Sequence, residues 1–315
     1  MLPFFDEPRQ PSPLGQRLAG LAAEGVYLGT SSWKYEGWLG QIYSRERYLV
    51  RGRFSTKQFE AECLAEYAET FPVVCGDFTF YQFPSEAYWR RLFGSAPHPL
   101  RFAFKAPEEI TCKVFPAHAR YGSRAGLANG SFLNAGLFAA AFLGPLEPYR
   151  GRVAALIFEF GTFPKKSYGC CADFLPDLGR FLGALPGGFR YAVEIRNPEY
   201  LAPDYFDCLR RHRAAHVFNA WTRMPELSVQ TSIPAAYTAD FILARALLRR
   251  GRSYEDAVKR FSPYTEIQDP NPPAREALRG LIRRAREQRQ EAYIFVNNRL
   301  EGNAPASIQA IVEGV

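Results

Sequence analysis

The chain has 315 residues and a formal net charge of +7, with 47% hydrophobic and 23% charged residues. This composition is typical of globular proteins and gives no support to a disordered, collagen-like or coiled-coil chain. No segment approaches the roughly 18 consecutive apolar residues of a membrane-spanning helix, and residues 1–13 carry acids and prolines where a secretion signal has basic and then apolar residues. The six cysteines form no CxxC pair, so we expect a cytoplasmic protein without membrane contact.

The positive charge comes from arginine, because only seven of the 39 basic residues are lysine. Residues 241–299 hold twelve arginines and Lys259 against seven acidic residues. Guanidinium groups bind phosphate and carboxylate in a bidentate manner and stack on nucleobases. The excess is therefore compatible with an anionic small molecule or a nucleic acid as partner, although a solvated helix face would have the same composition.

Apolar strands alternate with helical segments after residue 25, whereas residues 1–24 are rich in proline and weakly periodic and are predicted to form an N-terminal arm. The predicted strands are VYLGTSSW, VVCGDFTFY, RFAFKAP, VAALIFEF, FRYAVEIR, AAHVFNA, FILARALL and EAYIFVNN. Each is followed by a helix, residues 249–272 are predicted to be irregular, and no GxGxxG motif follows the first strand. This pattern favours an α/β fold, a TIM-like (β/α)8 barrel of parallel strands with outer helices, that occupies residues 25–315 as a single domain.

Polar residues occur at the C-terminal end of nearly every predicted strand, where the active sites of such barrels lie. Charged groups that end apolar strands are costly to bury unless they are paired, so their recurrence predicts a functional mouth. The candidates for catalysis are Glu194, Glu159, Lys105 and Asp77, and those for substrate binding are Trp33, Tyr81, Arg196, Arg245, Asn219, Asn297 and Asn298.

Several candidates have an equally simple structural interpretation. Glu194 and Arg196 lie two residues apart on a strand and point to one side, so an internal ion pair is as compatible as a ligand-facing role. Glu159 stands between two phenylalanines, where its pKa should rise unless a cation is nearby. An acid–base or metal-ligand role and a structural pairing with Lys105 or Arg245 both remain open for this carboxylate.

Aromatic residues crowd the first βα loop, where they form either a stacking surface for bases or sugars or a packed rim. These residues are Trp33, Tyr35, Trp38 and Tyr43. A magnesium site built from Asp77, Glu159 and Glu194 is compatible with the sequence. A zinc cluster is not favoured, because the four histidines have neither HxH nor HExxH spacing. The paired asparagines 297 and 298 are also compatible with a simple turn.

Five segments at these strand ends resemble the YecE-like family, also known as domain of unknown function 72, from about Val26 to the C-terminus. They are GTSSWKYEGWLGQIY, FTFYQFP, RFAFKAPEEIT, YAVEIRNPEYL and IFVNNRLEGNAPASI. The resemblance implies a TIM-like barrel but no established reaction. The positions that match the family at the barrel mouth are Lys105, Glu194, Arg196, Arg245, Asn297 and Asn298. Other positions differ from the family. On the second strand this chain has Cys75 and Asp77 where the family usually has Glu and Asn, and Glu159 stands where the family has Gln. Cys112 and Asn197 each stand where the family has His. The resemblance therefore implies a divergent member.

Three hypotheses of function follow. In the first, the protein is an enzyme, of the phosphoester hydrolase class, in which Lys105, Arg196 and Arg245 hold a phosphorylated or nucleic-acid substrate while Glu194 or Glu159 moves a proton or holds magnesium. In the second, it is a non-catalytic nucleic-acid-binding barrel that uses Arg249, Arg250, Arg252 and the helix with residues 283–289. In the third, Glu159 and Glu194 are the two carboxylates of a glycoside hydrolase.

Overall fold

Eight parallel strands close into a barrel in a computed structural model that describes residues 11–315. The strands are β1 (Val26–Thr30), β2 (Val73–Gly76), β3 (Arg101–Lys105), β4 (Val153–Phe160), β5 (Tyr191–Ile195), β6 (Ala215–Ala220), β7 (Phe241–Ala246) and β8 (Glu291–Val296). Each strand pairs with the next in sequence, and β8 closes the barrel by pairing with β1 over its whole length. The TIM-like (β/α)8 prediction is therefore confirmed.

Helices surround the barrel and connect the strands. The longer ones are α1 (Pro13–Ala23), α2 (Thr56–Tyr67), α3 (Glu86–Ser95), α4 (Cys171–Ala184), α5 (Pro203–Arg211), α6 (Tyr254–Phe261), α7 (Pro272–Gln288) and α8 (Ala304–Val312). Single turns lie at Glu108–Thr111, Ala135–Phe138, Gly144–Leu146, Leu227–Thr231 and Asn298–Glu301, and a small hairpin pairs Leu49–Val50 with Arg53–Phe54. None of the helices in residues 11–315 is long and apolar enough to cross a membrane.

Two segments that were predicted to be irregular contain helices. Residues 13–23 of the predicted arm form α1, which the Ser12 side chain caps and which buries Leu18; residues 1–10 lie outside the described part. Pro13 occupies the first helical position, where proline starts a helix instead of breaking it. Within residues 249–272, α6 begins after the capping Ser253 and buries Ala257 and Phe261. Two buried side chains in eight residues give too weak a periodicity to predict this helix.

The closure of the barrel depends on a glycine. A Cβ atom at Gly29 would lie 1.8 Å from the carbonyl oxygen of Val73, so only glycine permits β1 and β2 to approach this closely. Inside the barrel, alanine and valine side chains such as Ala103, Ala192 and Val217 form a separate apolar layer. The charged residues at the strand ends therefore rest on a dry core at the C-terminal end of the barrel.

A candidate active site at the barrel mouth

Six charged residues from five strands meet at the C-terminal end of the barrel. We call this set the mouth cluster; its members are Asp77, Lys105, Glu159, Glu194, Arg196 and Arg245. Neighbouring strands present them at one level, since Glu159 is the direct register partner of Glu194. All four residues predicted to be catalytic and both predicted substrate-binding arginines lie in this cluster, although their roles remain predictions.

The Arg245 guanidinium is the centre of the mouth cluster. Its Nη1 donates to Glu159 Oε2 at 2.6 Å and to Glu194 Oε2 at 2.5 Å, and its Nη2 donates to Asp77 Oδ1 at 2.9 Å. The Arg245 side chain is almost fully buried, and the Glu194 side chain is fully buried. These carboxylates hold the pKa of Arg245 well above its ordinary value against the opposing effect of burial. The guanidinium therefore stays charged and joins its own strand, β7, to the ends of β2, β4 and β5.

Glu159 has two unequal oxygens. Oε2 lies 3.1 Å from Lys105 Nζ, 3.0 Å from Arg196 Nη2 and 2.6 Å from Arg245 Nη1. Oε1 accepts no hydrogen bond from residues 11–315, and the side chain keeps 16% of its surface exposed. The sequence prediction left the direction of its pKa open. Burial alone would raise this pKa, but the charges of Lys105, Arg196 and Arg245 overcome burial and hold it well below the ordinary value of 4.5.

Two buried N–H groups of the mouth cluster have no hydrogen-bond partner within residues 11–315. They are Arg196 Nη1 and Arg245 Nε. Arg196 Nη2 is 2.6 Å from Glu194 Oε1, a close ionic contact that is not aligned as a hydrogen bond. The Arg196 guanidinium also lies 3.9 Å from the ring centre of Trp221. Buried donors without acceptors are costly, and a catalytic or binding role is one reason for which proteins keep such groups.

The mouth cluster is electrically balanced, with three cations against three carboxylates. The magnesium site considered for Asp77, Glu159 and Glu194 does not form as a free cage, because these carboxylates point at the Arg245 guanidinium. Among residues 11–315 no group of three His, Cys, Asp or Glu side chains is arranged to hold a metal ion. The cluster as folded therefore holds an arginine where a metal ion would otherwise compensate the carboxylates.

The loops around the mouth supply the positive charge that the cluster lacks. Between β3 and the following helix, residues 106–134 hold three basic and two acidic residues, and residues 161–170 after β4 add Lys165 and Lys166. Arg120 and Arg124 pair with Glu108 and Glu109, whereas the lysines of both loops form no ion pair within residues 11–315. These two neighbouring loops therefore give one side of the rim a net charge of +3.

The predicted aromatic contacts divide into an exposed and a buried part. Tyr81 leaves 62% of its surface in solvent, on the loop after β2. Trp33 is buried edge-on against Phe78, with ring centres 6.0 Å apart, and its carbonyl accepts a hydrogen bond from the Tyr43 hydroxyl. The buried rings of the first βα loop, among them Trp38, pack as a rim, whereas the substrate-binding candidate Tyr81 is exposed; a ligand contact by Tyr81 stays a prediction.

The three predicted asparagines are engaged in the fold. Asn219 donates to the carbonyl oxygens of Ile195 and Val217, both at 3.3 Å. Asn297 caps the turn Asn298–Glu301, and Asn298 Oδ1 accepts from the Trp38 indole and the Ala304 amide. These contacts match the turn that the sequence left open for the asparagine pair. A ligand contact by any of the three stays a prediction.

Sequence reasoning missed two aromatic residues that touch the cations of the mouth. Phe80 lies under Lys105, with Nζ 3.8 Å from the ring centre, and Trp221 stacks on Arg196. Each follows a strand closely, after β2 and β6 respectively. Aromatic residues placed directly after a strand were the available signal, because such positions reach the mouth of a barrel.

Comparison with known proteins agrees with this architecture. The family model described as "Protein of unknown function DUF72" matches residues 27–315. The UPF0759 protein YecE of Escherichia coli K12 is 25% identical over 178 residues, which is 56% of this chain and 50% of that protein, so the matched part spans half of the curated relative. The same relative from Escherichia coli O157:H7 matches equally.

Two crystal structures of DUF72 family proteins share the fold. The structure from Enterococcus faecalis V583 has a TM-score of 0.60 at 16% identity and covers 92% of this chain and 96% of its own. The structure from Thermotoga maritima MSB8 has a TM-score of 0.60 at 19% identity, with coverage of 92% and 98%. At these identities the likeness supports the barrel alone. By its family match, the chain belongs to the DUF72 family of proteins of unknown function, as a distant, YecE-like (UPF0759) member.

Proposed function

We propose that the barrel mouth is the active site of an enzyme of the phosphoester hydrolase class that acts on a phosphorylated or nucleic-acid substrate. The observation that carries the proposal is the Glu159 carboxylate, whose Oε2 is held by three cations while Oε1 accepts no hydrogen bond from residues 11–315. A carboxylate fixed through one oxygen and free at the other is placed to accept a proton from a water molecule. The nearby cations are placed to hold the phosphate that this water attacks.

Lys105 and Arg196 have donors left for that phosphate. Lys105 has three N–H donors and a single carboxylate contact, to Glu159, while Nη1 of Arg196 is unused. A bound phosphate competes with Glu159 for both cations. Because their charges lower the pKa of Glu159, this competition raises that pKa and makes the carboxylate a better base when substrate is present.

The proposed step is hydrolysis of a phosphoester. A water oxygen bonds to phosphorus, its proton passes to Glu159 Oε1, and the ester P–O bond breaks. The leaving oxygen takes a proton from the Lys105 ammonium, which solvent later restores. Asp77, with 35% of its side chain exposed, is the second carboxylate that a substrate can reach. Fully buried Glu194 acts here as the anchor of Arg245 and Arg196.

The glycoside hydrolase alternative is less well supported. Glu159 Oε2 and Glu194 Oε2 both lie within 2.6 Å of one nitrogen, Arg245 Nη1. The two oxygens are therefore no more than about 5 Å apart, which approaches the spacing of a retaining glycosidase. That mechanism needs one protonated carboxyl group as acid. Burial leaves Glu194 without surface for a substrate, and the low pKa of Glu159 keeps that carboxylate ionised.

The non-catalytic alternative requires its arginines to form one surface. Arg249, Arg250 and Arg252 follow β7 at the mouth, whereas residues 283–289 lie at the far end of α7. With 17 residues, α7 is about 25 Å long and runs from the mouth to the opposite end of the barrel. Arg283 and Arg286 also pair there with Glu276 and Glu24. The two groups of arginines thus belong to different faces.

The test compares Glu159→Gln with Glu291→Gln, the same change at the opposite end of the barrel. Purified protein is assayed on glycerol phosphate, bis(p-nitrophenyl) phosphate and single-stranded DNA, with and without Mg²⁺. We expect wild-type turnover of at least one substrate and, in Glu159→Gln, a fall in kcat of roughly 100- to 10,000-fold with little change in KM. The Glu291→Gln control should match wild type. An equal loss in both variants, or no wild-type turnover of any phosphoester, contradicts the proposal.

A further inference from the structure

A continuous line of aromatic rings and cations leads from the mouth cluster to the solvent. Lys105 Nζ lies 3.8 Å from the ring centre of Phe80, and the rings of Phe80 and Tyr81 meet edge-on at 5.4 Å. The Arg120 guanidinium lies 5.1 Å from the ring centre of Tyr81 and 4.5 Å from that of Tyr121. We call Phe80, Tyr81, Arg120 and Tyr121 the aromatic strip.

Tyr81 is the exposed member of the strip. Single exposed aromatic residues are common on protein surfaces and are not by themselves evidence of a binding site. Tyr81, however, is the most exposed large apolar or aromatic side chain of residues 11–315, and its hydroxyl makes no hydrogen bond within them. Its ring contacts both Phe80, edge-on, and the Arg120 guanidinium. The exposed position of the Tyr81 ring is therefore not explained by a hydrogen bond of its hydroxyl group.

Arg120 gives the strip its charge and its fixed position. Its Nη2 donates to Glu108 Oε2 at 2.6 Å, and the Tyr121 hydroxyl donates to the same oxygen at 2.8 Å. With its guanidinium tied at one edge and placed between two tyrosine rings, Arg120 keeps a planar face beside Tyr81. Aromatic rings beside arginine planes are the common means of holding unstacked nucleobases.

The distances along the strip set an upper limit on the separation between Tyr81 and Lys105. Lys105 Nζ is 3.8 Å from the Phe80 ring centre, and the two ring centres are 5.4 Å apart, so Tyr81 lies within about 9 Å of the ammonium group. This is the reach of one nucleotide, from its base to its phosphate. The separation is therefore short enough for one nucleotide, with its base stacked on Tyr81, to bring its phosphate to Lys105. A duplex does not offer a free base face, so the strand must be single.

We infer that the aromatic strip is a stacking subsite for single-stranded nucleic acid, which makes a single strand, instead of a small phosphoester, the substrate of the mouth. This inference rests on the proposed function for the identity of the site. Two strip members, Arg120 and Tyr121, belong to the 106–134 loop of the positive rim, and the net positive charge of that rim suits the phosphates of a bound strand.

The experiment measures fluorescence anisotropy of a labelled single-stranded oligothymidylate with the full chain. A strand of equal length and charge, made of abasic sugar phosphates, is the matched ligand. We expect wild type to prefer the strand with bases, and Tyr81→Ala to weaken its binding by roughly five- to one-hundred-fold. Tyr81→Phe, which keeps the ring, should restore wild-type affinity. The affinity of every variant should fall linearly with salt on logarithmic axes.

The matched protein control is Tyr254→Ala. Tyr254 is also an exposed tyrosine at the mouth, and Arg299 lies 4.5 Å from its ring centre. It follows β7, across the barrel from the strip, and within residues 11–315 no ring or cation contact joins it to the mouth cluster. We expect Tyr254→Ala to bind as wild type does. Equal losses in the two alanine variants overturn the inference.

The remaining outcomes separate the subsite from the catalytic proposal. Equal wild-type binding of the abasic and base-containing strands overturns the stacking subsite, and so does wild-type affinity in Tyr81→Ala. If glycerol phosphate is hydrolysed while oligothymidylate is not bound, the subsite is wrong and the hydrolase proposal stands. If oligothymidylate binds through Tyr81 but no phosphoester is turned over, the subsite stands and the hydrolase proposal is wrong.

Discussion

Charged residues cluster at both ends of this barrel, and the two clusters differ in burial and in completeness. The mouth cluster is mostly buried, with Glu159 and Asp77 partly exposed, and it contains unpartnered donors. The rear cluster, at the N-terminal ends of the strands, joins Arg101 and Arg190 to Glu291 and to the Tyr293 hydroxyl. Its charged side chains keep between 28% and 41% of their surface in solvent. Buried groups with unused donors are compatible with a ligand site, whereas solvated pairs with shared partners contribute little beyond closing the end of the barrel.

The rear cluster explains why ion pairs alone do not identify a site. Arg101 stacks 4.6 Å from the ring centre of Tyr27, donates to Tyr293 and pairs with Glu291. No side-chain donor or acceptor of Arg101, Arg190, Glu291 or Tyr293 is left buried and unpartnered in the described part of the chain. Each member is satisfied by the others or by water. Four predictions test this account of the two ends of the barrel.

The largest expected difference between the two clusters is the loss of stability when an arginine of each is replaced by leucine. Arg245→Leu leaves the buried charge of Glu194 without its closest partner and should lower the free energy of unfolding by about 3–5 kcal/mol. Arg101→Leu should lower it by no more than about 1 kcal/mol, because Glu291 is solvated and keeps Arg190. Urea unfolding of the two variants checks this. Similar losses at both ends would remove the distinction.

A double variant shows whether the loss of stability comes from the excess buried carboxylate or from packing. Replacing Glu194 by leucine in the Arg245→Leu background removes the carboxylate that the single change leaves buried. In Arg245→Leu, Glu194 keeps Arg196, but the mouth cluster has three carboxylates against two cations. The double variant restores two against two and should therefore be more stable than Arg245→Leu alone. A further drop in stability would assign the effect to shape instead of charge.

A smaller effect is expected from acid. Since the charges of Lys105, Arg196 and Arg245 outweigh burial at Glu159, its pKa in the folded protein lies below the ordinary value of 4.5. Ionised Glu159 therefore contributes stability that is fully present above pH 4.5 and is lost as the pH falls through the lowered pKa. The stability difference between wild type and Glu159→Gln should be constant near neutrality and shrink below pH 4.5. Urea unfolding across this pH range measures it, and a difference that grows in acid would contradict the low pKa.

The sequence predicted the barrel well because its signals are local. Each strand is a short apolar run, and each polar residue at a strand end was visible from its position alone. Helix α1 was missed because its proline lies where helices begin, and α6 because it buries only two side chains. Neither error moved a strand.

The ion pairs within the mouth cluster could not be predicted from the sequence. Arg245 stands between two alanines in β7, which marks it as unusual, but its partners lie 51, 86 and 168 positions away. Only the barrel brings these positions together. The net neutrality of the mouth cluster, the unused nitrogens of Arg196 and Arg245, and the contact of Phe80 with Lys105 all depend on this assembly.

The most direct test of the mouth as an anion site is the binding of inorganic phosphate, measured by isothermal titration calorimetry. Wild type should bind phosphate, and Lys105→Met should bind it roughly ten-fold or more weakly, because the change removes a charged donor and leaves the mouth cluster with one excess carboxylate. Arg101→Met at the rear cluster should bind phosphate as wild type does. Absence of binding to wild type, or equal affinity in Lys105→Met and wild type, would contradict the assignment of the mouth as the anion site.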